Sequence, residues 1–275
     1  MLSPFYQIDA FAEKPLAGGP AAVMPLDAFL PDAQMQAIAA ENNLAETAFL
    51  VAKDRGVWDL RWFTPKLEVP LCGHATLAAA HAVYAHLGHE GEQASFDTRS
   101  GRLTVTRLAD GRLEMDFPSL PPRPTQIPEG LTEALGARPA EVLAASYLVA
   151  VFDAPEQVVA LAPDLVRIEA ISGEATGGRG NIVCAAPGAR SRDFAAYDVV
   201  SRFFAPGSGV AEDPATGSAH CILAPYFSQR LGKSELQCFQ AYPGRGAVIS
   251  TRLVGDRVKL IGRARTVVEG VFRIE

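Results

Sequence analysis

No CxxC pair occurs among the four cysteines, Cys72, Cys184, Cys221 and Cys238. Their wide spacing excludes a zinc site or a disulfide framework as the organising device, and reduced thiols are expected. Positive charge is scarce as well: 25 Lys and Arg stand against 31 Asp and Glu, a formal net charge of -6. The basic stripe that a nucleic-acid partner requires is therefore missing. No apolar run is long enough to span a bilayer, since the longest weakly polar stretch, around Ala75 to Leu87, falls short of about 20 residues. No basic segment followed by an apolar run opens the sequence, so a cytoplasmic protein with no nucleic-acid and no membrane partner is expected. The glycine-rich segment Gly173 to Gly180 lacks the Gly-Lys-Ser/Thr ending of a phosphate loop and does not follow a strand-turn-helix pattern. It reads as a flexible connection, and no nucleotide cofactor follows from it. His81, His86 and His89 are close in sequence, but their spacing spreads them over different helical directions, so no metal is expected there.

What is present is a packed, water-soluble composition, with 48% hydrophobic and 20% charged residues. At 275 residues the chain exceeds what one core usually needs, and two domains are expected. An internal repeat supports this. Arg61-Trp62-Phe63-Thr64-Pro65 recurs as Arg202-Phe203-Phe204-Ala205-Pro206, and each copy leads to a small-residue turn that opens a helix, Cys72-Gly73-His74-Ala75 and Thr216-Gly217-Ser218-Ala219. From those turns the copies run without a gap to a terminal Leu-Gly, at Gly88 and Gly232, each glycine suited to a left-handed C-cap. Both helices are small or apolar nearly all round, which predicts a central helix wrapped by its own sheet. Short alternating segments, Phe5 to Phe11, Ala48 to Ala52, Leu103 to Leu108, Leu113 to Phe117, Ala247 to Leu253 and Arg257 to Ile261, supply the strands. The Pro-rich stretch 119–124 cannot continue a sheet interior and is the expected linker, between a domain of residues 1–118 and one of 125–275. A last strand returning to the first domain is compatible with the pattern.

Two matched helix N-termini, each beginning at a glycine, offer unpaired amides and a positive dipole end to an anion. The same starts would also suit tight packing alone; the polar pair His74 and Ser218 at the matched position favours a ligand. If the two domains face one another, one carboxylate-bearing ligand could lie between both starts. Asp213 precedes the second helix and could cap it or act on a ligand. Glu46 lies where a helix beginning after Asp32 gives way to the apolar strand Phe49-Leu50-Val51, a position where a charge is commonly just solvated.

The sequence resembles the PhzF-like phenazine-biosynthesis proteins along essentially its whole length. The resemblance is carried by Ile8-Asp9-Ala10-Phe11 with Gly18-Gly19-Pro20-Ala21-Ala22-Val23, by Asn43-Leu44-Ala45-Glu46-Thr47, by Phe63-Thr64-Pro65 leading to Leu71-Cys72-Gly73-His74-Ala75-Thr76, and by Glu212-Asp213-Pro214-Ala215-Thr216-Gly217-Ser218-Ala219-His220. It implies an α+β fold of two pseudo-repeated domains, each a β-barrel-like sheet around a central helix, as in diaminopimelate epimerase and proline racemase. It implies an isomerase without a cofactor, a small carboxylate substrate and a homodimer. The family pattern assigns acid/base chemistry to Glu46, His74 and Asp213, and substrate binding to Cys72, Gly73, Thr216, Gly217 and Ser218. In the epimerases both helix starts carry a cysteine; here the second is Thr216, whose hydroxyl is far too weak an acid to replace a thiol. Gly19 and Ala45 stand where the family commonly has asparagine and serine, and each removes a polar group near the expected site. The competing readings are an amino-acid epimerase or racemase that uses Cys72, and a small-molecule binding protein without turnover.

Overall fold

A computed structural model describes residues 2–274. In chain order the elements are β1 (Leu2–Ala10), β2 (Gly19–Leu26), α1 (Asp32–Asn42), β3 (Glu46–Ala52), β4 (Val57–Phe63), β5 (Glu68–Val69), α2 (Gly73–Ala85), β6 (Gln93–Thr98), β7 (Gly101–Arg107) and β8 (Leu113–Pro118). They continue as β9 (Arg123–Thr125), α3 (Leu131–Leu135), β10 (Glu141–Ala144), β11 (Leu148–Val151), α4 (Pro155–Val159), α5 (Leu165–Thr176), β12 (Ile182–Pro187), β13 (Val199–Phe204) and β14 (Glu212–Asp213). The last are α6 (Gly217–Leu231), β15 (Glu235–Gln240), β16 (Ala247–Val254), β17 (Arg257–Gly262) and β18 (Ala264–Arg273). The alternating segments read from the sequence lie in strands, except that Phe11 and Leu108 fall one residue beyond β1 and β7. Among the described residues no helix is long and apolar enough to cross a membrane.

The chain forms two compact units, one of residues up to Asp116 together with those from Ile261 onward, the other Phe117–Leu260. At the C-terminus β18 returns to the first unit and pairs antiparallel with β1 along the whole of that strand. In the first unit β1–β2 is antiparallel, β2–β3 parallel, β3–β4 antiparallel, β4–β6 parallel and β6–β7 antiparallel. In the second, β10–β11, β11–β12, β12–β13, β13–β15 and β15–β16 repeat that alternation. Each parallel pair needs a crossover. Those crossovers carry α1 and α2 in the first unit, and α5 and α6 in the second.

The side-chain period of two sorts the second unit's strands between two cores. Val149, Val151, Val183, Ala185 and Phe203 pack against Ala219, Ile222, Leu223 and Phe227 of α6. Leu148, Ala150, Ile182, Cys184 and Phe204 face the other way, with Ile168 of α5. In the first unit α2 is buried from His74 to Ala80 and again at Ala82 and Val83, while Met35, Ile38 and Ala39 of α1 pack with Met24, Phe49 and Phe63.

Three local expectations are corrected. The Pro-rich segment is anchored: Arg123–Thr125 forms β9 against β10, and the Leu120 N–H donates to Cys221 O at 3.0 Å. That carbonyl is open because Pro225, four residues on within α6, has no N–H to offer it. The glycine-rich connection is half helical, since α5 runs on through Gly173 to Thr176 and ends at Gly177 in the left-handed region. Gly232 caps α6 in that conformation, whereas α2 stops at Ala85, short of Gly88.

Candidate active site

Glu46 opens β3, three residues after Asn43 closes α1 in the left-handed region at φ 47°. It lies beside Ala21 of β2 in parallel register, with its side chain 15% exposed and so largely withdrawn from solvent. His74 is the second residue of α2, with its side chain 4% exposed. Its Nε2 lies 2.8 Å from Glu46 Oε2, and its Nδ1 lies 3.7 Å from Cys72 Sγ. The imidazole thus bridges a carboxylate and a thiol, one on each ring nitrogen.

Burial opposes a charged His74, and its negative neighbours more than offset burial, so its pKa sits well above the ordinary 6.5. Burial pushes the Cys72 thiol up to about 11, and the Glu46 carboxylate adds to the rise. Burial thus favours the neutral form of the Cys72 thiol. Among the described residues Glu46, Cys72 and His74 are the one group of three whose donor atoms, within 4.8 Å of one another, could meet a metal ion. Cysteine, histidine and carboxylate suit zinc. The ring geometry suits a relay better, because chelation would draw His74 off one of the two partners it already bridges.

The second unit holds the matched helix start. Asp213 does not cap α6; its Oδ1 accepts from Ala215 N at 3.2 Å and its Oδ2 from the Thr216 hydroxyl at 2.7 Å. Gln240 of β15 locks this turn, accepting from Thr216 N at 2.8 Å and donating from Nε2 to Asp213 O at 2.6 Å. Ser218 Oγ lies 3.1 Å from Tyr147 OH. Neither Cys72 nor Thr216 caps its helix with a side-chain hydrogen bond, which leaves the amides of Gly73 and Gly217 at uncapped helix starts. The carbonyls of those two N-caps are held alike: Thr76 Oγ1 donates to Cys72 O at 2.5 Å, and His220 Nδ1 lies 2.8 Å from Thr216 O.

The structure brings Glu46, Cys72 and His74 together in the first unit, and Asp213, Thr216, Gly217 and Ser218 together in the second. Gln240 and Tyr147 escaped the sequence reading, since neither belongs to the repeated motifs. His81 and His86, read as diverging, meet at one atom, Thr266 Oγ1, at 3.1 and 2.8 Å. They converge because His86 leaves the helical conformation at φ -123°.

The sequence pattern of the phenazine biosynthesis-like proteins matches residues 8–270. An isomerase of Pseudomonas aeruginosa is 47% identical over 98% of both chains. A crystal structure of a PhzF-family phenazine biosynthesis protein from Enterococcus faecalis superimposes with a TM-score of 0.92 at 36% identity, covering all of both chains. A hydroxyproline epimerase from Agrobacterium vitis matches at a TM-score of 0.63 and 13% identity, over 98% of this chain and 92% of its own, a likeness of fold alone.

Proposed function

Because this chain belongs to the phenazine biosynthesis-like family and is an isomerase of the epimerase fold, we propose that it isomerises a small carboxylate-bearing metabolite by moving one proton through Glu46. The observation that carries this reading is the withdrawn Glu46–His74 contact of 2.8 Å. The Glu46 carboxylate removes a proton from a carbon made acidic by conjugation; the C–H electron pair moves into the conjugated system. The resulting carboxylic acid returns that proton to another carbon of the same substrate, so atoms and charge balance without any further reactant. His74 positions the Glu46 carboxylate through their 2.8 Å contact.

The uncapped helix starts supply amide donors suited to a carboxylate, through Gly73 in the first unit and Gly217 and Ser218 in the second. Thr216, tied to Asp213 and to Gln240, is assigned to holding the second start in shape for the ligand, and Asp213 to holding or shuttling a proton there.

The rival enzyme, an epimerase working through Cys72, needs a thiolate in a place where burial keeps the thiol protonated. The two readings differ in one experiment, turnover of small unsaturated and amino carboxylates by paired variants. Glu46→Gln is expected to lose roughly 100- to 10,000-fold in rate, and Cys72→Ser to stay within about tenfold of the parent. Loss in Cys72→Ser with activity kept in Glu46→Gln would establish the epimerase instead. Ligand-induced stabilisation with no turnover in any variant would favour a binding protein.

A further inference from the structure

The repeat extends further back than the motifs that reveal it. Thr47 pairs with Phe63 across β3–β4, and Ile182 pairs with Phe204 across β12–β13; Phe63 and Phe204 are matched residues of the repeat. The residue before Thr47 is Glu46, and the residue before Ile182 is Asn181. Asn181 is thus the second unit's counterpart of the proposed acid/base. The same register makes Tyr147 the counterpart of Ala21, because Leu148 pairs with Ile182 as Ala22 pairs with Thr47. The matched positions hold His74 and Ala21 in the first unit, and Ser218 and Tyr147 in the second. The large side chain has changed sides while the polar contact at the helix start is kept.

Asn181 is 3% exposed. Asn181 immediately precedes β12, and extending the alternation of Val183 and Ala185 by one step assigns it to the sheet face that packs on α6, the face from which Tyr147 reaches Ser218. Gly180 fixes the approach, with φ +81° and a place where a Cβ would lie 2.4 Å from Glu169 O. The Asn181 amide donates from Nδ2 to Ser208 Oγ at 2.8 Å. Its Oδ1 is buried and has no hydrogen-bond partner among the described residues. A buried amide oxygen left unpaired is destabilising, and nothing in the packing of β12 requires one.

We infer that Asn181 is a ligand-contacting residue, whose Oδ1 accepts a hydrogen bond from a hydroxyl or amino group of a small carboxylate held at the start of α6. The inference rests on the reading of that helix start as the carboxylate's place, and not on proton transfer by Glu46. At the position matched to Glu46 the second copy of the repeat then offers a neutral acceptor in place of a carboxylate.

The test compares 3-hydroxybutyrate with butyrate, two carboxylates of equal charge that differ by one hydroxyl, by thermal shift and calorimetry on the full chain carrying Glu46→Gln. The hydroxylated probe is expected to bind about tenfold more tightly. Adding Asn181→Leu is expected to bring that ratio to about one with butyrate affinity unchanged. It should also leave the melting temperature equal or raise it by roughly 2 to 4 °C, because an unpaired polar atom is removed and Ser208 is exposed to water. Asn181→Asp keeps the acceptor and is expected to keep the ratio, although its charge weakens both probes alike. A ratio near one in the parent, or a ratio that survives Asn181→Leu, would overturn the inference. A lowered melting temperature with the ratio intact would make Asn181 a structural residue. A retained ratio together with unimpaired turnover in Glu46→Gln would fault the proton-transfer reading alone.

Discussion

Two buried histidines, His74 and His220, and the half-buried His81 sit in opposed electrostatic settings, and their chemistry follows from what each ring nitrogen meets. His74 faces a carboxylate, and its raised pKa means that its contribution to stability is complete below about 6.5 and is lost as pH rises through the folded value. His220 faces a backbone carbonyl, and burial pushes it down to about 4. His81 is pushed down to about 4 by burial first, then by His86 and Arg265. For these two the unfolded chain binds more protons than the folded one between about 6.5 and 4, so stability falls on acidification through that window and is level above it. The expected slope is about 1.4 kcal/mol per pH unit for each group. Urea unfolding from pH 8 to 4 measures it, and His220→Asn should remove about half; an unchanged slope would show that His220 titrates alike in both states. None of this was legible in the sequence, where His220 is the last letter of a motif and His81 one of three scattered histidines. The pKa of a histidine is decided by neighbours that only the folded chain supplies.

At the scale of elements, the repeat is held by a matched pair of forks. Arg61 of β4 grips Glu68 of β5 through Nε and Nη2 at 2.8 and 2.7 Å. Arg202 of β13 grips Glu212 of β14 in the same way, both contacts at 2.8 Å. Each glutamate stands four residues before the N-cap of the following helix, so each fork fixes the arm that delivers Cys72 or Thr216. Arg202 also donates from Nη1 to the carbonyls of Val159 and Leu161 at 3.0 and 2.6 Å. Arg202→Met would leave a largely buried carboxylate unpaired, with an expected loss of about 3 to 5 kcal/mol in denaturant unfolding. Replacing both partners, Arg202→Met with Glu212→Leu, should recover most of it; failure to recover would mean that the carbonyl contacts dominate. The arginines were visible in the sequence as the first letters of the repeated pentapeptide. Their partners were missed although both lie in register with the helix starts, because the arm from Phe204 to Glu212 is longer than that from Phe63 to Glu68 and puts the glutamates out of register with the arginines. The helix starts at Gly73 and Gly217 were legible to the residue, since small residues and a glycine opening announce them. The end of α2 was not, because His86 and not Gly88 closes it.

Across the whole molecule one supersecondary pattern has been used twice and specialised twice. Antiparallel and parallel pairings alternate in the same order in both units, and each unit places its Ala-rich or apolar helix on the same step of that order. What differs is the chemistry at the matched positions: Glu46, Cys72 and His74 in one copy, Asn181, Thr216 and Ser218 in the other. The sequence disclosed the second and third of those pairs because they lie in ungapped register. It concealed the pair Glu46 and Asn181, since the loops between them and the arginines differ in length. The return of the last strand to the first unit was compatible with the sequence, but its pairing with β1 was not legible, because a strand carries no local sign of its partner.

The most direct test of proton movement through Glu46 is solvent exchange. The parent and Glu46→Gln, incubated in heavy water with small unsaturated and amino carboxylates, are followed by mass spectrometry and NMR for deuterium at substrate carbon. The parent is expected to incorporate deuterium or form an isomer, with the rate falling at least about 100-fold in Glu46→Gln while the melting temperature stays within a few degrees. Exchange that proceeds undiminished in Glu46→Gln would contradict the assignment of Glu46 as the group that moves the proton.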